Sequence, residues 1–287
     1  MYRSGEAGSR KMNDTTASAL DYRLVTRYGP WALVTGAAKG LGAEFSNQLA
    51  REGFSLVLVD VDRPALEAQR EALVERYSCD IRSVVLDLSR ENFLSDLLPQ
   101  IEGLAINLLV NNAGIAKIGS FLPQDKEFLL SQLHVNTRAV MLLTHEMGNR
   151  MLARGDRHGG IIIVSSGAAW AGAAMNANYS ATKAYDLIFA ESLWDELRDE
   201  GIDVLGFMPT VTDTPGYQSE RPATGRVAVM SAEITVRQAL EALGKSPSLF
   251  VDKRTRVIHR ILRTVLSRAA LIKLGSKSLR SIFREAR

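Results

Sequence analysis

The sequence predicts an α/β fold: a doubly wound parallel sheet of about seven strands with helices on both faces. Short runs rich in β-branched residues alternate along the chain with longer segments of helical period. The short runs are continuously apolar, which is the pattern of strands buried on both faces. Strands that alternate with helices in this way pair in parallel, because each helix returns the chain to the same edge of the sheet.

Each predicted element follows from this alternation. The strand pattern fits 31–36, 55–60, 83–88, 106–112, 161–166, 202–207 and 248–251. Helices are predicted at 41–52, 64–77, 91–102, 124–154, 179–200 and 231–243.

The predicted domain organisation is one domain with two extensions. The domain covers 21–252, preceded by a polar extension at 1–20 and followed by a basic helical extension at 253–287. The segment 212–230 holds two prolines and breaks the alternation. Since ligands of such folds bind at loops after the strands, we expect this segment to form a lid.

Composition excludes several classes of protein. No apolar run is long enough to span a membrane and the first residues are polar, so a cytoplasmic protein is expected. The single Cys79 has no partner for an internal disulfide. The four histidines are far apart, and the sequence therefore predicts no metal site.

A glycine-rich segment, "VTGAAKGLGAEF" (34–45), follows the first predicted strand and opens a helix. Gly36, Gly40 and Gly42 allow a tight turn and a close approach of the backbone to a pyrophosphate, whose charge is favoured at a helix N-terminus. The spacing G-x-x-x-G-x-G differs from the commoner G-x-G-x-x-G, and a ligand-free strand-to-helix turn gives the same pattern.

Asp60 ends the second predicted strand, 24 residues after Gly36. A carboxylate there accepts hydrogen bonds from the hydroxyls of an adenosine ribose and repels a 2′-phosphate. Lys39, inside the glycine turn, favours that phosphate instead. Because Asp60 decides whether the phosphate fits at all, the sequence favours NAD, and NADP is the alternative.

Three motifs together resemble the short-chain dehydrogenase/reductase family: "TGAAKGLG" (35–42), "NNAG" (111–114) and "YSATK" (179–183). The resemblance runs from about Trp31 to Thr214 in the family's order. It implies a Rossmann-type fold and an NAD(P)-dependent oxidoreductase that acts on CH–OH and C=O groups. It also implies a homo-dimer or tetramer built through the long helices.

The same resemblance implies four catalytic residues. Tyr179 would be the general acid or base and Lys183 its partner. Ser166, which lies 13 residues before the tyrosine, is preferred over Ser165. Asn136, in "LHVNT", would hold a water that passes protons from the lysine.

The resemblance also implies a cofactor-binding set, and this sequence departs from the family beside it: Thr210 stands after Pro209, where glycine is usual. The implied residues are Gly36, Lys39, Gly40, Leu41, Gly42, Asp60, Asp87, Leu88, Asn112, Ala113, Gly114, Tyr179, Lys183, Pro209, Val211 and Thr214.

The chemistry of the tyrosine and lysine is coherent without the family name. Side chains at i and i+4 share a helix face, so the ammonium of Lys183 would stabilise the phenolate of Tyr179. Hydride transfer at a carbinol carbon needs a proton to move at its oxygen. Ser166 would donate a hydrogen bond to that oxygen as charge develops. Two other functions stay open: an NADPH-dependent carbonyl reductase using Lys39, and a cofactor-binding regulator without turnover.

The substrate is less well defined by the sequence. Trp170, Met175 and Tyr217 either line an apolar pocket or pack within loops. Because no charged cluster indicates an anionic group, a hydrophobic secondary alcohol or ketone is the expected substrate.

The C-terminal region is strongly basic. Residues 252–287 hold eleven Lys and Arg against two acids, so the first 251 residues carry a net charge of −6 within an overall +3. An amphipathic stripe runs through 255–274, with Arg256, Arg260 and Arg263 off the apolar face. This helix is expected to cover the protein's own core or a subunit interface, or to lie peripherally on an anionic membrane. Binding to nucleic acid is the least favoured of the three interpretations, because no base-reading motif accompanies the charge.

Overall fold

The computed structural model describes residues 23–155, 158–209, 212, 230–251, 257–258, 261–262 and 264–283. Within these residues, seven parallel strands form one sheet in the order β3-β2-β1-β4-β5-β6-β7. The strands are β1 Trp31–Thr35, β2 Ser55–Asp60, β3 Ile81–Val85, β4 Ile106–Asn111, β5 Gly159–Val164, β6 Ile202–Met208 and β7 Ser248–Phe250.

Helices cover both faces of this sheet. They are α1 Arg23–Tyr28, α2 Gly40–Arg51, α3 Arg63–Tyr77, α4 Phe93–Leu97, α5 Lys126–Leu133, α6 Ala139–Ala153, α7 Ala177–Glu196, α8 Ala232–Ala242 and α9 Arg268–Phe283. A π-helical turn, His134–Arg138, joins α5 to α6, and short 3₁₀ turns occupy Leu98–Ile101 and Gly167–Trp170.

The core lies in two layers, one on each face of the sheet. In β2, Leu56 and Leu58 belong to the layer that contains Phe45 of α2, whereas Val57 belongs to the layer that contains Met147 of α6. All six residues of β4 and of β5 are buried. This two-sided burial explains the continuous apolar runs and confirms the predicted doubly wound sheet.

The order of the strands reverses between β1 and β4. Crossovers that leave these two neighbouring strands in opposite directions open a crevice at the carboxyl ends of the strands. The glycine turn after β1 and the "NNAG" segment after β4 both lie at this edge.

Several elements differ from the sequence-based prediction, among them the following three. Strand β3 spans Ile81–Val85 rather than 83–88, because its partner β2 ends at Asp60, opposite Val85; beyond it Asp87 accepts hydrogen bonds from Ser89 N and Oγ. The long helix predicted at 124–154 changes period at the π-helical turn. The C-terminal helix predicted at 255–274 is interrupted at 266–267, where Ser267 caps α9 by accepting from Ala270 N.

The predicted lid lies almost wholly outside the described residues. Its two ends are described: Thr212 and Met230 pair in an isolated parallel bridge.

Candidate active site

The glycine turn between β1 and α2 is closely packed. Gly36 has φ +64°, a conformation that a side chain rarely adopts. A Cβ atom on Gly42 would lie 1.9 Å from the carbonyl oxygen of Gly36. The side-chain amide of Asn112 donates to the carbonyls of Thr35 and Gly36, at 3.0 and 3.2 Å. The first helical turn of α2 therefore lies directly beside the glycine turn. The N–H groups at this end of the helix favour the binding of a phosphate.

A cavity of about 980 Å³ extends from this turn to the start of α7. From the predicted set it is lined by Gly36, Lys39, Gly40, Leu41, Asp60, Asp87, Leu88, Asn112, Ala113, Gly114, Tyr179, Lys183 and Pro209. Its volume and the glycine turn in its lining fit a dinucleotide. Gly42 lies behind the turn, and Val211 and Thr214 lie outside the described residues.

Carboxylates surround the end of the cavity at β2. Asp60 accepts hydrogen bonds from Ala38 N and Asp62 N, at 2.9 and 3.0 Å. Lys39 Nζ donates to Asp62 Oδ2 at 2.6 Å. This hydrogen bond raises the pKa of Lys39 and lowers that of Asp62. The lysine that the sequence offers to a 2′-phosphate is thus paired with a neighbouring acid.

Lys183 is buried at the opposite end of the cavity. Its Nζ donates to Val164 O at 2.8 Å and to Asp186 Oδ2 at 2.9 Å. Burial alone would lower the pKa of Lys183, but the charges of Asp186 and Tyr179 raise it above its usual range. Burial raises the pKa of Asp186 to about 6, against the opposing effect of Lys183. The lysine is therefore a cation that is paired with a buried carboxylate.

The two neighbouring serines have different surroundings. Ser165 is buried and donates to the carbonyl of Lys183 at 2.6 Å. Ser166 is half-buried, and its Oγ accepts from Ala168 N at 3.2 Å, which leaves the hydroxyl proton to be donated. The lining of the cavity includes Ser165 but not Ser166, so the choice of Ser166 as the residue that faces a substrate oxygen stays a prediction.

Asn136 is completely buried in the π-helical turn. Its Oδ1 accepts from Ile115 N at 2.9 Å, and its Nδ2 donates to Ile115 O and Thr182 Oγ1 at 3.0 and 3.1 Å. A Cβ atom on Gly114 would lie 3.5 Å from both Asn136 Oδ1 and Lys183 Nζ. Asn136 thus joins the segment after β4 to α7 close to the lysine.

Sequence reasoning missed two features of this site. One is Asp186, whose only signal is its position three residues after Lys183. The other is an apolar wall formed by Ile115, Ala116, Ile118, Phe128 and Val135. The wall comes from a loop and two helical turns, and no periodicity in the sequence links them.

Of the aromatic and methionine candidates for a pocket, Trp170 packs edge-on against Phe250, with ring centroids 5.5 Å apart. Met175 has a positive φ of 69° and accepts from Gly119 N through its carbonyl. Neither belongs to the lining of the cavity. Tyr217 lies outside the described residues.

The part of the chain that the structure describes contains no group of three or more His, Cys, Asp or Glu arranged to hold a metal. None of its helices is long and apolar enough to cross a bilayer.

A Rossmann-type crevice with a tyrosine and a lysine at its far end defines an NAD(P)-dependent oxidoreductase. A family model described as short chain dehydrogenase matches residues 30–225. The chain belongs to this family, which confirms the resemblance found in the sequence.

Two relatives have names that indicate lipid-like substrates. A very-long-chain 3-oxoacyl-CoA reductase-like protein of Arabidopsis thaliana is 32% identical over 237 residues, covering 80% of this chain and 75% of that protein. The 17-beta-hydroxysteroid dehydrogenase type 3 of Mus musculus is 32% identical over 203 residues. That match covers 69% of this chain and 65% of the mouse protein.

Solved structures agree with the fold. A structure from a study of 7beta-hydroxysteroid dehydrogenase stereoselectivity superimposes with a TM-score of 0.82 at 24% identity, covering 88% of this chain and 98% of that one. A short-chain dehydrogenase from Sphingobium yanoikuyae in complex with NADPH has a TM-score of 0.71 at 27% identity, with coverages of 84% and 98%.

Proposed function

We propose that the protein transfers a hydride between a nicotinamide cofactor and a bulky, hydrophobic ketone or secondary alcohol. The observation that carries this proposal is a single cavity with the glycine turn at one end, Tyr179 and Lys183 at the other, and an apolar wall beside them. Substrates with a large apolar body, such as a steroid or a 3-oxoacyl thioester, suit that wall. The names of the two relatives support the same class.

Each catalytic side chain has a proposed role. Tyr179 gives a proton to the substrate oxygen in ketone reduction and removes it in alcohol oxidation. Lys183, kept cationic, stabilises the phenolate. Ser166 donates a hydrogen bond to the substrate oxygen, and Asn136 holds the backbone of Ile115 and a water near Lys183. The bound nicotinamide supplies or accepts the hydride.

We propose NAD(H) as the preferred cofactor. Asp60 and Asp62 place two carboxylates where a 2′-phosphate would lie, and Lys39 is already paired with one of them. The NADPH complex of the Sphingobium protein favours the other cofactor. NADPH-dependent carbonyl reduction is therefore the second candidate, and a regulator without turnover is the third.

The protein's assembly and location are also part of the proposal. A homo-dimer or tetramer through α5, α6 and α7 would cover apolar side chains that these helices expose: Leu130, Leu133, Met141, Tyr185 and Ile188. The proposed location is the cytoplasm, with peripheral contact at a membrane surface.

The test combines cofactor binding with turnover. Purified protein is titrated with NADH and with NADPH by nicotinamide fluorescence, and then assayed with steroid ketones and 3-oxoacyl thioesters. Tyr179→Phe should remove turnover while cofactor affinity changes little. Turnover that survives in this variant would disprove the role of Tyr179, and cofactor binding without turnover of any of these substrates would favour the regulator.

A further inference from the structure

Helix α9 carries positive charge without compensating acids. Arg268, Lys273, Lys277 and Arg280 lie on it, and residues 268–283 contain no Asp or Glu. The last three of these side chains are exposed and lie on adjoining positions of the helix surface.

The same region exposes large aliphatic side chains. Six of them in the described part of the C-terminal region have exposures between 37% and 73%: Val257, Ile258, Ile261, Val265, Ile272 and Leu274. An ordinary solvated helix places such residues against a core. Exposed aliphatic and basic side chains in one segment are typical of a helix that lies in the interface of a lipid bilayer.

Helix α9 is attached to the loop that connects the catalytic residues. Ser276 is 6% exposed, and its Oγ accepts from Ala174 N at 2.9 Å. Arg268 Nη1 donates to Trp170 O at 3.2 Å. Trp170 and Ala174 belong to the loop between Ser166 and Tyr179. Whatever binds α9 therefore lies beside the loop that runs from Ser166 to Tyr179.

We propose that α9 and the apolar segment before it, 257–265, dock on an anionic lipid bilayer and bring the loop between Ser166 and Tyr179 to the lipid surface. Anionic headgroups complement the uncompensated cations, while acyl chains cover the aliphatic side chains. A second copy of the chain is a poorer partner, because two α9 helices would face each other with like charges. The docking does not depend on the proposed catalytic activity; only the delivery of an apolar substrate from the bilayer rests on that activity.

The first experiment is co-sedimentation of the full chain with phosphatidylcholine vesicles, with and without phosphatidylserine. We expect binding only to the anionic vesicles and a marked decrease at high salt. The triple variant K273Q/K277Q/R280Q should bind on the order of a hundredfold more weakly, from about fivefold for each charge. The matched control R51Q/R237Q/K245Q removes the same charge from exposed positions elsewhere and should bind like the wild type.

The second variant, I261S/V265S, tests the apolar contribution. It should weaken binding at low and at high salt, since these side chains act through burial. The docking proposal is overturned if the wild type binds neither kind of vesicle, or if the triple variant and its control lose binding equally. It is also overturned if I261S/V265S dissociates an oligomer in analytical ultracentrifugation while vesicle binding is unchanged, because a second copy would then be the partner.

Turnover separates this proposal from the proposed function. With a water-soluble ketone and no vesicles, K273Q/K277Q/R280Q should match the wild type, because these side chains do not touch the cavity. Absence of turnover in every form of the protein would contradict the proposed function and leave the vesicle result valid.

Discussion

Lys183 Nζ and Asp186 Oδ2 are 2.9 Å apart, in a place where the two side chains are 5% and 0% exposed. The lysine that would stabilise the Tyr179 phenolate therefore shares its charge with a carboxylate. Two charges at this distance interact strongly when water is excluded, so Asp186 reduces the field that the phenol experiences. Burial, together with the charge of Asp186, raises the pKa of the nearby Tyr185.

The first prediction concerns Asp186→Asn and the pH dependence of alcohol oxidation. Asparagine keeps the shape of the side chain and removes its charge, so the field of Lys183 on the phenol is no longer opposed. The rising limb of kcat/KM should move to lower pH by on the order of one unit. The measurement is a pH profile of both proteins with the same alcohol. If Asp186 had only a structural role, the variant would have a lower kcat/KM, but the rising part of its pH profile would stay at the same pH.

The second prediction concerns stability. The pKa of Asp186 is about 6 in the folded protein and about 4 in an unfolded chain. Between these values the folded state binds more protons, so this group's contribution to stability is complete below pH ~4 and is lost as pH rises through ~6. The free energy of unfolding of the wild type, minus that of Asp186→Asn, should therefore fall over this range in urea titrations. A difference that is constant from pH ~4 to ~7 would contradict the raised pKa.

Sequence patterns predicted the parts of this fold whose burial is uniform. Strands β2 and β5 are recognisable because their apolar positions, 56–59 and 161–164, each meet one of the two core layers, and β-branched residues suit that environment. The end of β3 was not predictable in the same way. Leu86 and Leu88 are buried and apolar like strand residues, but the partner strand β2 ends at Asp60, opposite Val85, and leaves them no further pairing.

The active site likewise has one part that the sequence predicts and one part that it does not. Tyr179 and Lys183 are one helical turn apart, so the chain itself brings them together. The apolar wall is assembled from Ile115, Phe128 and Val135, which become neighbours only when the segment after β4 packs on α5 and the π-helical turn. The role of Asp186 likewise cannot be inferred until its burial is known. An acid three residues after a lysine usually forms a solvent-exposed ion pair with it.

The third prediction concerns the glycine turn. Gly42→Ala would place a Cβ atom 1.9 Å from Gly36 O, so the turn must open and cofactor affinity should fall at least tenfold. Gly148→Ala is the matched control, since nothing lies within 4 Å of its Cβ position in α6. It should raise stability by up to about 1 kcal/mol and leave affinity unchanged. Equal NADH affinity in the wild type and Gly42→Ala would show that the turn does not hold the cofactor.

The fourth prediction separates the two serines. Ser166→Ala should lower kcat by about 10²-fold or more, because the donor to the substrate oxygen is lost. Ser165→Ala removes a buried hydrogen bond to Lys183 O and should cost about 1 kcal/mol of stability with a much smaller effect on kcat. Steady-state kinetics and urea unfolding of both variants provide the measurement. The reverse pattern would assign the substrate contact to Ser165.

The last prediction concerns the choice of cofactor. Lys39 is held by Asp62 at 2.6 Å, and Asp60 is fixed by two backbone N–H groups. Asp62→Asn should release the lysine toward a 2′-phosphate and remove one of the two carboxylates that repel it. We therefore expect the affinity for NADPH to rise several-fold while that for NADH changes little. Glu71→Gln, an exposed acid on α3, is the control for a general change in charge. If NADPH already binds more tightly than NADH to the wild type, Lys39 outweighs both acids and the enzyme is an NADPH-dependent reductase.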